Sequence, residues 1–116
     1  MANKRFEKPI YPKDITFKCE KNLATDSPDH LHPWGTARDR STNPRFNYKI
    51  YNLFKDVFPL KILDLGCSGG VFVRDCINDG CFAIGLEGSD YSKKMKRAEW
   101  AIIPEYLYTC DITKNF

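Results

Sequence analysis

Hydrophobic and polar residues follow two different patterns along this chain, with the change near residue 44. Residues 1–43 are polar and irregular, rich in Pro, Asp, Asn and Thr. Within them only Ile15-Thr16-Phe17-Lys18-Cys19 reads as a strand. The tract Asp26 to Thr36 holds Pro28, Pro33 and Gly35, which excludes regular structure. A loop of this kind in a small domain is usually functional or disordered. Trp34 and the leucines suggest that it packs on something.

From residue 44 onward, helical and strand-like spacings alternate. Asn43 suits an N-cap and Pro44 the first helical position. Phe46, Ile50, Leu53, Phe54 and Val57 then recur at helical spacing as one apolar stripe, and Pro59 stops the helix. Leu60 to Leu65 reads as a strand. A glycine-rich turn leads to a helix over Val71 to Asp79, closed by Gly80. Cys81-Phe82-Ala83-Ile84-Gly85-Leu86 is almost wholly apolar, as a strand covered on both faces should be. Asp90 or Ser92 opens a third helix to about Ala101, Pro104 ends it, and Glu105 to Cys110 makes a third strand. The alternation predicts an α/β fold: a parallel sheet with flanking helices and right-handed crossovers.

Composition narrows the picture only modestly. With 116 residues, one domain is expected. Hydrophobic residues at 42% and charged residues at 28% fit a globular chain and argue against wholesale disorder. The net charge of +3 is small and its Lys and Arg are scattered among acids, which argues against nucleic acid as partner. Lys93, Lys94, Lys96 and Arg97 make a basic helix face that reads first as solvated surface. Cys19, Cys67, Cys76, Cys81 and Cys110 are odd in number and lack CxxC spacing, so they read as reduced thiols of a cytoplasmic protein. No apolar run spans a membrane, and the N-terminus does not resemble a secretory signal.

The candidate chemistry lies where strands hand over to helices. Gly66, Gly69 and Gly70 allow backbone angles and close ligand approach that other residues deny. The following helix offers free N–H groups and a partial positive charge at its N-terminus. Glu87 follows the second strand about twenty residues on, where a carboxylate accepts from ribose hydroxyls. Asp111 follows the third strand, beside the same crevice, and suits an adenine amino group. Together they point to an adenosine-containing ligand; the alternative is a tight turn with solvated acids.

These residues resemble a known family. Asp64-Leu65-Gly66-Cys67-Ser68-Gly69-Gly70 resembles motif I of class I S-adenosylmethionine-dependent methyltransferases. Gly85-Leu86-Glu87-Gly88-Ser89 resembles the second motif and Cys110-Asp111-Ile112 the third, so the likeness covers roughly residues 44–116. It implies a Rossmann-like fold and S-adenosylmethionine as cofactor. Gly66, Cys67 and Gly69 would approach the methionine moiety, with Ser68 and Gly70 completing the loop. Asp64 would hold the loop or a water, Glu87 with Gly88 would bind ribose, and Ser89, Asp111 and Ile112 would line adenine. Residues 1–43 would be an irregular extension or lid, with Trp34 and Arg38 over the cofactor.

The rival for this geometry is a nicotinamide dehydrogenase, whose loop reads G-x-G-x-x-G. Here Ser68 stands where the second glycine should be, and Asp64 suits a cationic methionyl group better than a pyrophosphate. A non-catalytic module that only holds the cofactor is a further alternative. The family places a fourth strand beside the first and takes its acceptor contacts after it. The sequence reads as the family's N-terminal cofactor-binding portion, cut after about three strands. No catalytic residue or methyl acceptor is assigned. The first strand's open edge predicts a homo-oligomer. Asp26, Asp29, His30 and His32 resemble a metal cluster, but loop spacing is unrestrictive and no metal site is expected. Cys67, at a helix N-terminus, reads as a small residue in a crowded turn before it reads as a nucleophile.

Overall fold

The computed structural model describes residues 15–26 and 42–116. Three parallel strands form one sheet in the order β1-β2-β3. They are β1 Lys61–Leu65, β2 Phe82–Glu87 and β3 Leu107–Thr109. Register runs from Lys61 opposite Phe82 to Leu65 opposite Leu86, and from Gly85 opposite Leu107 to Glu87 opposite Thr109. Among the described residues the helices are α1 Pro44–Leu53, α2 Val71–Asn78 and α3 Tyr91–Lys94, with 3₁₀ turns at Lys55–Val57, Ala98–Ala101 and Pro104–Tyr106. This is the α/β arrangement expected from the alternating pattern.

Helix α2 connects β1 to β2 and covers one face of both. A Cβ on Gly85 would lie 2.5 Å from Cys67 Cβ and 3.0 Å from Val73 Cγ2, so the missing side chain lets helix and loop approach the sheet. The helix ends as the sequence implies: Gly80 takes φ +97°, its N–H donates to Ile77 O, and Cys81 N–H donates to Cys76 O. That pair of bonds is a Schellman cap. The buried cluster joins Val73, Cys76, Cys81, Ala83, Trp100, Tyr106 and Leu107. Its burial pushes the Cys76 thiol up to about 12.

Four expectations need correction. Most of the stripe assigned to the first helix does not face the core: Ile50 is half-buried against it, but Phe46, Leu53, Phe54 and Val57 are exposed, and α1 buries Asn47 and Tyr51 instead. The Asn43 cap is as predicted, its side chain accepting from Phe46 N at 3.1 Å. What rotates the helix is polar: Tyr51 Oη donates to Asp79 Oδ2 at 2.9 Å, just past the end of α2. Burial raises the Tyr51 hydroxyl well above its ordinary range, so it remains a donor. The helix also ends at Leu53, and a 3₁₀ turn fills the remaining distance to Pro59.

The third helix is four residues long rather than twelve or so, because Lys96 and Ala98 adopt φ of +49° and +47°. Lys96 N–H donates to Lys93 O and Arg97 N–H to Ser92 O, which closes α3 as a second Schellman cap with lysine at the left-handed position. The third strand is shorter than predicted, since Pro104–Tyr106 forms a 3₁₀ turn. Ile15 to Cys19 forms no strand. It packs on the sheet face away from α2, with the Phe17 ring 4.6 Å from that of Tyr108. Among the described residues, no helix is long and apolar enough to cross a membrane.

Candidate functional site

The loop after β1 turns sharply: Gly66, Ser68 and Gly70 have φ of +84°, +54° and +88°. The left-handed region costs a residue with a Cβ about 1–2 kcal/mol, so Ser68 needs partners that hold it there. Its N–H donates to Glu87 Oε1 at 2.9 Å, and its carbonyl accepts from the Trp100 indole Nε1–H at 2.9 Å. The Gly69 carbonyl accepts from Glu99 N–H at 2.9 Å. Gly66 and Cys67 N–H both donate to Leu86 O. The loop is thus fastened to the last two residues of β2 and to the turn that follows α3. Glu99 is itself held by Arg74 of α2 at 2.9 Å.

Two glycines in the loop serve opposite purposes. A Cβ on Gly70 would meet Leu107 Cδ1 at 2.7 Å, so this glycine permits tight packing on β3. Among the described residues, a Cβ on Gly66 would meet no atom within 4 Å. Its left-handed backbone faces open space, where a ligand can approach the main chain.

Glu87 is the last residue of β2 and is 8% exposed. Its Oε2 accepts from Ser89 N–H at 2.9 Å, so each carboxylate oxygen holds one backbone N–H and keeps a second lone pair. Asp111 lies two residues past β3 and is 1% exposed. Its Oδ1 accepts from Thr113 N–H at 3.0 Å and Oγ1–H at 2.6 Å. Its Oδ2 is buried without a partner. The Thr113 hydrogen bonds hold this carboxyl below the ordinary range against the opposing effect of burial, and Lys114 and Lys21 add to the lowering. Ser89 is buried, and its Oγ accepts from Tyr91 N–H at 3.3 Å.

All the predicted positions gather at one end of the sheet. Asp64 sits opposite Gly85, and the loop Gly66–Gly70 begins two residues later. Glu87 ends β2, Gly88 and Ser89 follow it, and Asp111 with Ile112 follow β3. Cys67 is buried beneath the loop against Gly85, without the access a nucleophile needs.

The sequence predicts a lid from residues 1–43 but points to Trp34 and Arg38 for it, not to the segment that lies over this end among the described residues. Residues 19–24 form a strap whose backbone joins both acids' segments: Asp111 N–H donates to Lys21 O, Ala24 N–H to Gly88 O, and Glu20 N–H to Asn115 O. Ala24 packs so close to Gly88 that a Cβ there would be 2.8 Å away. Backbone bonds and one alanine leave no signature in a sequence. Trp100 and Glu99 were missed as well, because they reach the loop only through the break after α3.

A cleft of about 400 Å³, lined by Asn22, Leu23, Asp90, Lys93, Lys94 and Thr109, opens beside the strap. A larger apolar cleft of about 600 Å³ lies elsewhere, lined among others by Ile15, Phe17, Leu63, Phe82 and Ile84. No predicted site residue lines either cleft. Convergent polar groups distinguish a site from a hollow, and they converge at the carboxyl end. Among the described residues, no group of His, Cys, Asp and Glu is placed to hold a metal. Asp26 instead faces Lys21 and Lys114. Asp29, His30, His32, Trp34 and Arg38 lie outside the described residues. Comparison with known protein families, curated proteins and solved structures finds no match.

Proposed function

We propose that this chain binds S-adenosylmethionine at the carboxyl end of its sheet and is the cofactor-binding part of a methyltransferase. One observation carries the reading: the glycine loop, Glu87 and Asp111 follow three adjacent parallel strands and converge at the same end. Ligands of open α/β sheets bind there. The residues fit the group chemically. Gly66 offers open backbone, Glu87 has two unused lone pairs for ribose hydroxyls, and the unpartnered Asp111 Oδ2 accepts an adenine amino group. The bound cofactor supplies a methyl on a sulfonium, and the chain's residues contribute positioning. Ser68 at the place of the second fingerprint glycine disfavours a pyrophosphate and hence the nicotinamide alternative.

Calorimetry with S-adenosylhomocysteine and NAD in parallel tests the reading. Binding of the first alone is expected; binding of NAD alone overturns it. Glu87→Ala removes the acceptor for the Ser68 and Ser89 N–H groups and is expected to abolish S-adenosylhomocysteine binding. Glu87→Gln keeps one acceptor oxygen and should retain weakened binding. Equal affinity in all three proteins removes the ribose role.

The edge of β1 supports self-association. Among the described residues it has no strand beyond it, and Leu63 and Leu65 are about half exposed. Unpaired strand edges with apolar side chains recruit other strands. Sedimentation at micromolar concentration should show an oligomer, and a strict monomer counts against it.

A further inference from the structure

We propose that Cys19 and Cys110 are a reversible disulfide pair that latches the strap of residues 19–24 across the carboxyl end of the sheet. The two thiols lie 91 positions apart in sequence, yet their sulfur atoms face each other at 2.6 Å. Two backbone bonds from the residues that follow each cysteine hold this apposition: Asp111 N–H to Lys21 O at 3.0 Å and Glu20 N–H to Asn115 O at 3.1 Å. The Asn115 side chain adds a bond to Glu20 Oε1 at 2.7 Å. The pair therefore needs no backbone rearrangement to react. Both cysteines are free thiols, Cys19 partly exposed and Cys110 buried.

That difference in exposure sets the order of events. With a low-molecular-weight disulfide such as oxidised glutathione as oxidant, the Cys19 thiolate attacks one of its sulfurs. The oxidant's S–S bond breaks, one small thiolate leaves and takes a proton from water, and a mixed disulfide forms at Cys19. Cys110 then loses its proton to solvent, and its sulfur attacks Cys19 Sγ. The mixed S–S bond breaks and the second small thiol departs. Two electrons pass from the cysteine pair to the oxidant, which leaves as two thiols. Burial and the adjacent Cys19 and Asp111 push the Cys110 thiol of the reduced pair up to about 12; burial and Asp111 remain once Cys19 is capped, so alkali accelerates closure.

The bond stands on geometry alone; its effect on ligand exchange rests on the cofactor reading above. Latched, the strap keeps Lys21 on Asp111 and Ala24 on Gly88, the two points where it covers the site.

The test is thiol mapping of the whole chain in a glutathione redox buffer, followed by peptide mass spectrometry without reduction. Titratable thiols should fall from five to three, with one cross-linked peptide pair containing Cys19 and Cys110. Cys19→Ser should keep all four remaining thiols and, because Cys19 is partly exposed, should fold; Cys110→Ala is the second control. Hydrogen exchange at the Ala24 and Asp111 amides should slow in oxidised wild type and not in Cys19→Ser. Full alkylation of Cys19 and Cys110 after oxidation, or a bond among Cys67, Cys76 and Cys81 instead, overturns the proposal. Where S-adenosylhomocysteine binds, its release should be slower from the oxidised form. Absence of binding in both redox states refutes the cofactor reading while the mapping still decides the latch.

Discussion

Strands β1 and β2 have similar apolar content and run in register side by side, yet their burial differs sharply. All residues of β2 after Phe82 are buried, whereas β1 alternates between exposed and half-buried. Leu86 is 0% exposed and its register partner Leu65 is 51% exposed. The difference comes from neighbours rather than composition. β2 lies between two strands, beneath α2 on one face and near the Phe17–Tyr108 pair on the other. β1 has a strand on one side only, and the face carrying Leu63 and Leu65 is open. An apolar strand predicts that something covers it; where nothing in the described residues does, it predicts a partner.

The sharpest way to break this comparison is to shorten the paired leucines separately. Leu86→Ala should cost about 2–5 kcal/mol in urea unfolding, as buried leucines do. Leu65→Ala should cost about 0.5 kcal/mol or less, as at exposed positions. Equal losses would mean that β1 is covered in solution. Next in size, Gly85→Ala should destabilise by about 1–3 kcal/mol through overpacking against Cys67 and Val73. A smaller change would show that α2 sits less tightly than its geometry implies. Placing Lys at both Leu63 and Leu65 should shift sedimentation toward monomer with only about 0.5 kcal/mol change in stability. An unchanged oligomer would put the contact elsewhere, with the exposed α1 stripe of Phe46, Leu53 and Phe54 the next surface to test.

The smallest expected effect concerns the buried acid at the other side of the sheet. The Asp111 carboxyl is held below its unfolded value, chiefly by Thr113. Its contribution is therefore fully present at neutral pH and is lost as pH falls through the depressed value. Thr113→Val removes the hydroxyl donor and should move that loss to higher pH, read by NMR titration of the carboxyl carbon. An unshifted titration would show that the Thr113 hydroxyl does not set the pKa.

Local signals carried much of the architecture. The Asn43–Pro44 start, the Gly80 stop and the apolar run of β2 each act over a few residues, and each lies within a residue or two of its predicted place. The loop and both acids were legible for the same reason: they sit at strand ends that the pattern marks. What stayed hidden depends on distant partners. Tyr51 turns α1 because Asp79 awaits its hydroxyl, although Phe46 and Leu53 make the stronger apolar stripe. Lys96 ends α3 in a conformation that favours glycine, so no breaker residue marks the place. The strap at Lys21 and Ala24 joins the site through main-chain atoms common to every residue.

The indole of Trp100 donates its hydrogen bond to the one carbonyl in the glycine loop that belongs to a left-handed serine. That gives the chain an intrinsic optical probe. Its emission reports the polarity and hydrogen bonding of the loop itself, and replacing Trp34 with Phe leaves Trp100 as the sole tryptophan. Anything that lifts or tightens the loop should then register as a change in wavelength or intensity, with no label attached.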